Sequence, residues 1–178
     1  ALLAGDDGTG VCVMALEEGL DTGGTYACVE TAIGPRTTAA ELSAELAGTG
    51  ARLLAVTLRT GLGEPDAQQG GATYAAKVGP EDLHLDWDRA AVELDRRVRV
   101  GGAWTTWRGA RFKVLAAEPL PDDVGAGEPG ELHEDRVTTG SGSLALREVQ
   151  PEGRPPSAFE DWRRGARPEP GEQFGGAP

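Results

Sequence analysis

The sequence predicts two folded parts, a short α/β unit followed by a small antiparallel β-barrel. Two strand-like apolar runs and a helix with a capping signal come first, and five short strand-like segments separated by glycine-containing turns come later. A polar, glycine-rich stretch without apolar periodicity lies between the two parts. With 178 residues, of which 39% are apolar, the chain is long enough to form packed cores.

The first two predicted strands flank a loop that contains an acid bracketed by glycines. Strand patterns cover residues 10–16 and 26–33, and residues 17–24 form the turn between them. Asp21 lies in this turn. From the local sequence alone, Asp21 is either a proton-transfer group or an Asx-turn residue that hydrogen-bonds the backbone after it.

A helix follows these strands, and a linker follows the helix. Thr38 and Glu41 have capping-box spacing, which allows each side chain to bond a free backbone amide at a helix start. The leucines that follow predict a helix over residues 39–59. Residues 62–73 combine Gly, Gln, Asp and Pro without apolar periodicity, which predicts a linker and a domain boundary.

The second half predicts two helices and five strands. Asp88 is expected to cap one helix, and Ser157 is expected to cap another over residues 157–164. The tail after residue 165 is rich in proline and glycine and is expected to be loosely ordered. The strands, whose spacing predicts the small barrel, cover residues 103–107, 111–117, 130–133, 136–139 and 143–149.

The charge distribution limits the partners of the chain. A net charge of −12 argues against a protein whose main task is to bind phosphate backbone, yet only three of the seventeen basic residues precede residue 74. The basic cluster is therefore either a local nucleic-acid face or a solvated helix face balanced by neighbouring acids. It consists of Arg89, Arg96, Arg97, Arg99, Arg108, Arg111 and Lys113.

The cysteines and histidines predict no metal chemistry. Cys12 and Cys28 lie in apolar strand-like runs, where cysteine usually behaves as a small buried hydrophobe. His84 and His133 have no Cys or His neighbour at metal-ligand spacing. Neither a secretory segment nor an apolar run of membrane length is found, so we expect a cytoplasmic protein that does not contact a membrane.

An ordered set of motifs runs through nearly the whole chain. It begins with Gly5-Asp6-x-x-Thr9-Gly10-Val11-x-x-Met14 and continues to Gly19-Leu20-Asp21-Thr22-Gly23. The later motifs are Thr73-Tyr74-Ala75-x-Lys77, Asp86-Trp87, Trp104-x-x-Trp107, Gly130-Glu131-Leu132, Val149-Gln150-Pro151-Glu152-Gly153 and Arg164-Gly165-Ala166-Arg167. In this order the motifs resemble those of the methionyl-tRNA formyltransferases.

This resemblance implies a fold, a reaction and its partners. Residues 1–61 would be an α/β fragment, the last third of a Rossmann-like formyltransferase domain, and residues 74–178 an OB-like tRNA-binding domain after the linker at 62–73. The family transfers the formyl group of its co-substrate 10-formyltetrahydrofolate to the amino group of methionyl-initiator tRNA. Its catalytic Asn and His and its folate loop have no match here, so we expect a chain that is truncated at its front and inactive alone. We also expect a monomer.

The resemblance also implies the site residues. Asp21 matches the catalytic Asp of the family, which assists proton transfer during attack on the formyl carbon. Glu17, Glu18, Gly19 and Leu20 fall in the loop that borders the folate pterin in the family.

Binding of tRNA would involve Arg96, Arg97, Arg108, Arg111 and Lys113 of the basic cluster. Trp87, Trp104 and Trp107 are either stacking platforms for bases or core residues. Two alternative functions remain open. One is a non-catalytic tRNA-binding module, and the other is another 10-formyltetrahydrofolate-dependent formyltransferase or hydrolase.

Overall fold

The chain forms two compact units in the structure, a computed structural model. The first comprises residues 1 and 6–77, and the second comprises residues 2–5 and 78–178. The described residues are 1–71, 74–123, 125 and 127–176. The end of the predicted linker, including Thr73 of one family-like motif, lies outside these ranges.

The first unit is a β-hairpin packed against one long helix. Strand β1 (Gly8–Met14) pairs antiparallel with β2 (Thr25–Ala32), and the register places Val11 opposite Val29. The connection at residues 15–24 is too short for the crossover that a parallel pair requires, so a hairpin is the available arrangement. Helix α1 (Ala39–Thr60) packs on both strands.

The predicted capping box and helix are confirmed in α1. The Glu41 amide donates to the Thr38 hydroxyl (3.3 Å), and the Thr38 amide donates to the Glu41 carboxylate (2.9 Å). The bond from the Thr38 amide favours the charged carboxylate and lowers the pKa of Glu41. The helix continues through Gly48 and Gly50. A Cβ on Gly50 would lie 3.1 Å from a Val11 methyl group, so this glycine permits close packing on β1.

The two cysteines form a disulfide instead of two buried thiols. Cys12 of β1 lies directly opposite Cys28 of β2, and their Sγ atoms are bonded. Both residues are exposed, so the prediction that they are small buried hydrophobes is wrong. The pairing depends on strand register, which the spacing of the two cysteines in the sequence does not determine.

The expected fold class, the last third of a Rossmann-like α/β domain followed by an OB-like barrel, is wrong. The described residues form two antiparallel sheets and three α-helices, with no Rossmann portion among them. A Rossmann-like domain requires parallel strands joined by helical crossovers, whereas β1 and β2 pair antiparallel with each other. The strand, strand and helix signals of this region therefore correspond to a hairpin covered by a helix.

The second unit contains a six-stranded antiparallel sheet. Its strands are β3 (Trp104–Trp107), β4 (Ala110–Leu120), β5 (Leu132–His133), β6 (Arg136–Thr138), β7 (Ser143–Pro151) and β8 (Ser157–Ala158). The order along the sheet is β3-β4-β7-β6-β5, and β8 pairs with β7. All five strands predicted for this half are present, although their ends differ from the predicted ones.

Residues 172–175, the closing segment, bond to both edges of this sheet. The amide of Leu132 in β5 donates to the carbonyl of Glu172 (3.0 Å). The amide of Gly175 donates to the carbonyl of Thr106 in β3 (2.9 Å). Because β3 and β5 are the two ends of the strand order, one short segment satisfies backbone groups that both edges would otherwise expose.

Phe174 anchors the closing segment in the core of the second unit. Its side chain is 3% exposed, and its ring centroid lies 4.6 Å from Trp107, 5.1 Å from Phe112 and 5.9 Å from Trp87. Burial of such a side chain stabilises a fold by about 2–3 kcal/mol. The expectation of a loosely ordered tail is therefore wrong for this segment, because one aromatic residue orders its polar neighbours.

The helices of the second unit begin without the predicted side-chain caps. Helices α2 (Ala91–Val100) and α3 (Phe159–Ala166) both follow alanine residues that make no cap hydrogen bond. The predictions that Asp88 and Ser157 act as caps are wrong. At α2, the Ala91 amide donates instead to the Ser141 carbonyl (2.9 Å), so a tertiary contact replaces the cap. No helix within the described ranges is long and apolar enough to cross a membrane.

Replacing Phe174 by alanine should destabilise the second unit by roughly 3–5 kcal/mol, because the change removes core contacts and leaves a cavity. Urea unfolding followed by tryptophan fluorescence measures this free energy selectively, since all four tryptophans belong to the second unit. Gln173→Ala, at the exposed neighbouring position, should change stability by less than about 0.5 kcal/mol. Equal effects of the two substitutions would contradict the anchoring role of Phe174.

Candidate functional site

The β1–β2 loop, residues 15–24, is held at its base and at its tip. At the base, the Ala15 amide donates to the Gly24 carbonyl (2.8 Å). Near the tip, the side-chain amide of Gln68 donates to the carbonyls of Asp21 (2.9 Å) and Gly23 (2.7 Å). A Cβ on Gly23 would overlap the Ala15 carbonyl oxygen, so only glycine allows this close approach. The loop therefore has a defined backbone conformation.

Asp21 lies exposed in this loop, with a left-handed backbone (φ 56°). Aspartate adopts this conformation more readily than most residues other than glycine. Within the described part of the chain, the Asp21 carboxylate makes no hydrogen bond or ion pair, so the Asx-turn alternative is not observed. Because Gln68 holds the backbone carbonyl of Asp21, the carboxylate itself stays available to solvent and ligands.

The other loop residues inferred from the sequence share this exposed stretch. Glu17, Glu18, Gly19 and Leu20 are all exposed. The side chains of Leu16 and Leu20 are 96% and 95% exposed, respectively. The loop thus presents apolar surface next to carboxylates.

The two α2 residues inferred as tRNA ligands are partly engaged within the second unit. Arg97 donates to the carbonyls of Asp82 (3.1 Å) and Glu93 (3.2 Å), and its partial burial lowers its pKa from the usual value. The Arg96 guanidinium lies against Gly5, where a Cβ would overlap it. Both cations therefore have structural contacts as well as charge.

Arg89 of the basic cluster fits the alternative interpretation, a solvated helix face balanced by neighbouring acids, whereas the pair of Arg99 with Asp95 is largely buried. Arg89 forms ion pairs with Asp86 (3.4 Å) and Glu93 (3.2 Å). Arg99 forms an ion pair with the buried Asp95 (2.7 Å). These contacts place both arginines in local charge networks along α2.

Arg108, in the turn between β3 and β4, is paired with Glu172 of the closing segment. Its Nε and Nη2 atoms donate to the two carboxylate oxygens of Glu172 at 2.5 and 2.9 Å. This two-point contact lowers the pKa of Glu172 and raises the pKa of Arg108, because it stabilises both charged forms. Arg108 therefore holds the closing segment against the β3–β4 hairpin. The charge of Arg108 is already balanced by Glu172.

Arg111 and Lys113 lie on the outer face of β4 beside Trp104. Lys113 is the cross-strand partner of Trp104, and the Arg111 guanidinium lies 4.4 Å from the centre of the Trp104 ring system. The His84 ring is 4.7 Å from the Trp104 ring, and Trp104 Nε1 donates to the Pro80 carbonyl (2.8 Å). We call Trp104, Arg111, Lys113 and His84 the outer patch. It combines cations with an aromatic ring, as surfaces that bind single-stranded nucleic acid do.

The sequence left open whether three tryptophans are core residues or stacking platforms, and the structure distinguishes them by their burial. Trp87 and Trp107 are buried in the core, whereas Trp104 is partly exposed on the outer patch. Sequence reasoning missed two further residues, Gln68 and Glu172. Gln68 is 47 residues from Asp21, and no local pattern signals such a distant contact.

Two solved structures share the fold of this chain. HypX from Aquifex aeolicus in complex with tetrahydrofolic acid matches with a TM-score of 0.65 and 16% identity, over 91% of this chain and 31% of HypX. An N-formyltransferase from Helicobacter canadensis, in complex with folinic acid and dTDP-3-aminofucose, matches with a TM-score of 0.59 and 14% identity, over 82% and 58% of the two chains. The architecture is therefore one that an N-formyltransferase also uses.

Residues 77–167 match the formyl transferase C-terminal domain, and this match covers half of the chain. The chain belongs to the formyl transferase family, which confirms the resemblance read from its motifs. Methionyl-tRNA formyltransferases of Streptomyces coelicolor and Cereibacter sphaeroides are 41% and 40% identical over 98% and 93% of this chain. The chain spans 60% and 56% of the length of these relatives.

The Arg108–Glu172 pair should make the stability of the second unit depend on acid. The pKa of Glu172 is lowered in the folded state, so its contribution is present above the unfolded pKa and is lost as pH falls through the folded pKa. Thermal unfolding followed by tryptophan fluorescence should show Tm falling between about pH 5 and pH 3, and falling less in Glu172→Gln. Glu148→Gln, at an exposed position of β7, should keep the native pH profile. Identical profiles for all three proteins would contradict the pair's role.

Proposed function

We propose that this chain acts in the transfer of a formyl group from 10-formyltetrahydrofolate to the amino group of methionyl-initiator tRNA. The observation that carries this proposal is the 41% identity to a methionyl-tRNA formyltransferase over 98% of the chain. The protein would work in the cytoplasm as a monomer, with folate bound as co-substrate and without a metal. The loop of the first unit would serve the chemistry, and residues 74–178 would hold the tRNA.

The reaction requires proton transfers that a carboxylate at Asp21 can assist. Attack of the amine nitrogen on the formyl carbon gives a tetrahedral intermediate, which must lose a proton from that nitrogen. The folate nitrogen must gain a proton as it leaves, and the oxyanion needs hydrogen-bond donors. Asp21 has an exposed carboxylate and a clamped backbone, so it can accept a proton directly or through water without losing its position.

The stretch before Asp21 would border the folate. Glu17, Glu18, Gly19 and Leu20 are exposed and precede Asp21 directly, so a cofactor against this stretch would bring its reactive nitrogen towards the carboxylate. Leu20 offers apolar contact to a pterin ring, and Gly19 is exposed beside it. Leu16 would extend the same apolar surface.

The outer patch is the surface of the second unit best suited to tRNA. Arg111 and Lys113 supply positive charge, and Trp104 supplies an aromatic face for an unstacked base. Arg96 and Arg97 would add long-range attraction to phosphate. Arg108 would contribute less, because Glu172 already balances its charge.

A non-catalytic tRNA-binding module is the second candidate function. It is favoured by the outer patch, which lies wholly within the second unit and does not depend on Asp21. The two candidates differ in what they require of the loop. Formyl transfer needs the Asp21 carboxylate, whereas a binding module tolerates its loss.

Asp21→Asn should lower formyl transfer at least about 100-fold while leaving tRNA affinity unchanged, because the amide cannot accept the proton. The assay measures formylation of charged initiator tRNA by protein expressed from its complete reading frame. Asp7→Asn, at another exposed acid of the first unit, is the matched control and should retain normal activity. Full activity in Asp21→Asn would exclude the proposed proton-transfer role.

Arg111→Ala and Lys113→Ala should each weaken binding of initiator tRNA and reduce the slope of log affinity against log salt by roughly 0.7–0.9. Filter binding over a salt series measures both quantities. Arg108→Ala should have a smaller effect, and Arg59→Ala in α1 should have none. A larger effect of Arg108→Ala than of Arg111→Ala would move the binding surface away from the outer patch.

A further inference from the structure

The only two cysteines of the chain lie at the two ends of the segment that carries Asp21. The Cys12–Cys28 disulfide encloses residues 13–27, and Asp21 is near the middle of this segment. The enclosed segment contains the whole β1–β2 loop, including the four proposed folate contacts. Any change at the disulfide therefore acts on the two strands that carry the proposed catalytic loop.

The disulfide is accessible from solvent. Val11 packs towards α1 on one face of the hairpin, and the alternation along β1 places Gly10 and Cys12 on the opposite, exposed face. Cys28 is exposed beside Cys12 on that face. The same face forms an open depression of about 730 Å³ lined by both cysteines and by Gly10 and Glu30, which leaves room for a small thiol.

Without the disulfide, only noncovalent contacts would maintain the pairing of the hairpin near the loop. Its sheet contains two strands, and an isolated two-stranded hairpin is only marginally stable in water. A covalent link between directly opposite residues restricts the enclosed chain when the pairing loosens. In the reduced protein, the loop would depend on α1, on the Ala15–Gly24 bond, on the two backbone bonds between Thr25 and Asp66 (2.8 and 2.9 Å) and on the Gln68 side chain.

We propose that Cys12 and Cys28 form a reversible thiol–disulfide site whose oxidation state controls the order of the Asp21 loop. As a regulatory site for formyl transfer, it rests on the function proposed above. The oxidised form holds the loop in the conformation described here, with Asp21 presented. The reduced form lets residues 13–27 open more often, so Asp21 and the folate contacts are less well positioned.

The oxidant is a low-molecular-weight disulfide. One cysteine thiolate attacks a sulfur of this disulfide, releases one thiolate and forms a mixed disulfide with the protein. The second cysteine thiolate then attacks the bonded protein sulfur, closes the Cys12–Cys28 bond and releases the second thiolate. The protein thiols lose two protons and two electrons, and the small disulfide is reduced to two thiols. Two equivalents of a small thiol reverse both steps.

Hydrogen–deuterium exchange of this chain tests the proposed site. The exchange is measured in buffers that differ in the ratio of oxidised to reduced glutathione. Alkylation and mass spectrometry report the thiol content, and peptides covering residues 13–27 report loop opening. We expect one two-electron transition, with exchange in this segment roughly tenfold faster in the reduced form. Peptides from β4 and β7 of the second unit should not change. The proposal would be overturned if the loop exchanged equally fast in both forms. It would also be overturned if the two cysteines stayed in one redox form at every glutathione ratio.

Two double variants separate the bond from the side chains. Cys12→Ser with Cys28→Ser should exchange at the reduced rate in every buffer. Cys12→Val with Cys28→Val keeps an apolar cross-strand pair without the bond, and it should also show no dependence on glutathione. If either variant kept a redox-dependent exchange rate, the disulfide would not be the controlling site.

Formyl transfer measured in both redox states distinguishes failure of this inference from failure of the proposed function. Protein from the complete reading frame should transfer formyl several-fold faster when oxidised, because an ordered loop holds Asp21 in position. If transfer is absent in both states while the exchange difference remains, the proposed function fails and the redox site stands. If transfer is present and equal in both states, control by the disulfide is excluded.

Discussion

Backbone pairing of the closing segment with both edges of the six-stranded sheet is the interaction on which the second unit depends. Without it, β3 and β5 would each expose unpaired amides and carbonyls, and the core tryptophans would lose Phe174 as their neighbour. The Arg108–Glu172 pair ties the same segment to the β3–β4 turn. Strand β3, and with it Trp104 of the outer patch, is therefore held both by its pairing with β4 and by residues far along the chain.

The first unit contains a smaller sheet than the second unit, with two strands instead of six. Its hairpin has one helix on one face, and its other face carries the exposed disulfide. Gln68 reaches back to the loop and holds two backbone carbonyls, so the loop conformation does not depend on the Asp21 side chain. The Asp21 carboxylate is therefore available for chemistry, whereas a carboxylate that also capped its own turn would not be.

Local arrangement, not net charge, determines which cations are available to a nucleic acid. The chain carries a net charge of −12, and several arginines of the basic cluster are held in ion pairs with neighbouring acids. Arg111 is instead stacked on Trp104, next to Lys113 on the same strand face. A composition that argues against phosphate binding is thus compatible with a small positive surface on one hairpin.

Local patterns in the sequence determined the helix capped at Thr38, the positions of the strands and the family. They did not determine whether the first two strands pair with each other or with parallel neighbours, so the expected Rossmann-like class was wrong. Tertiary structure alone decided the Cys12–Cys28 bond, the Gln68 contact to Asp21 and the packing of Phe174 in the core. Each joins segments through register or burial, and such pairings leave no periodic signal in the residues that form them.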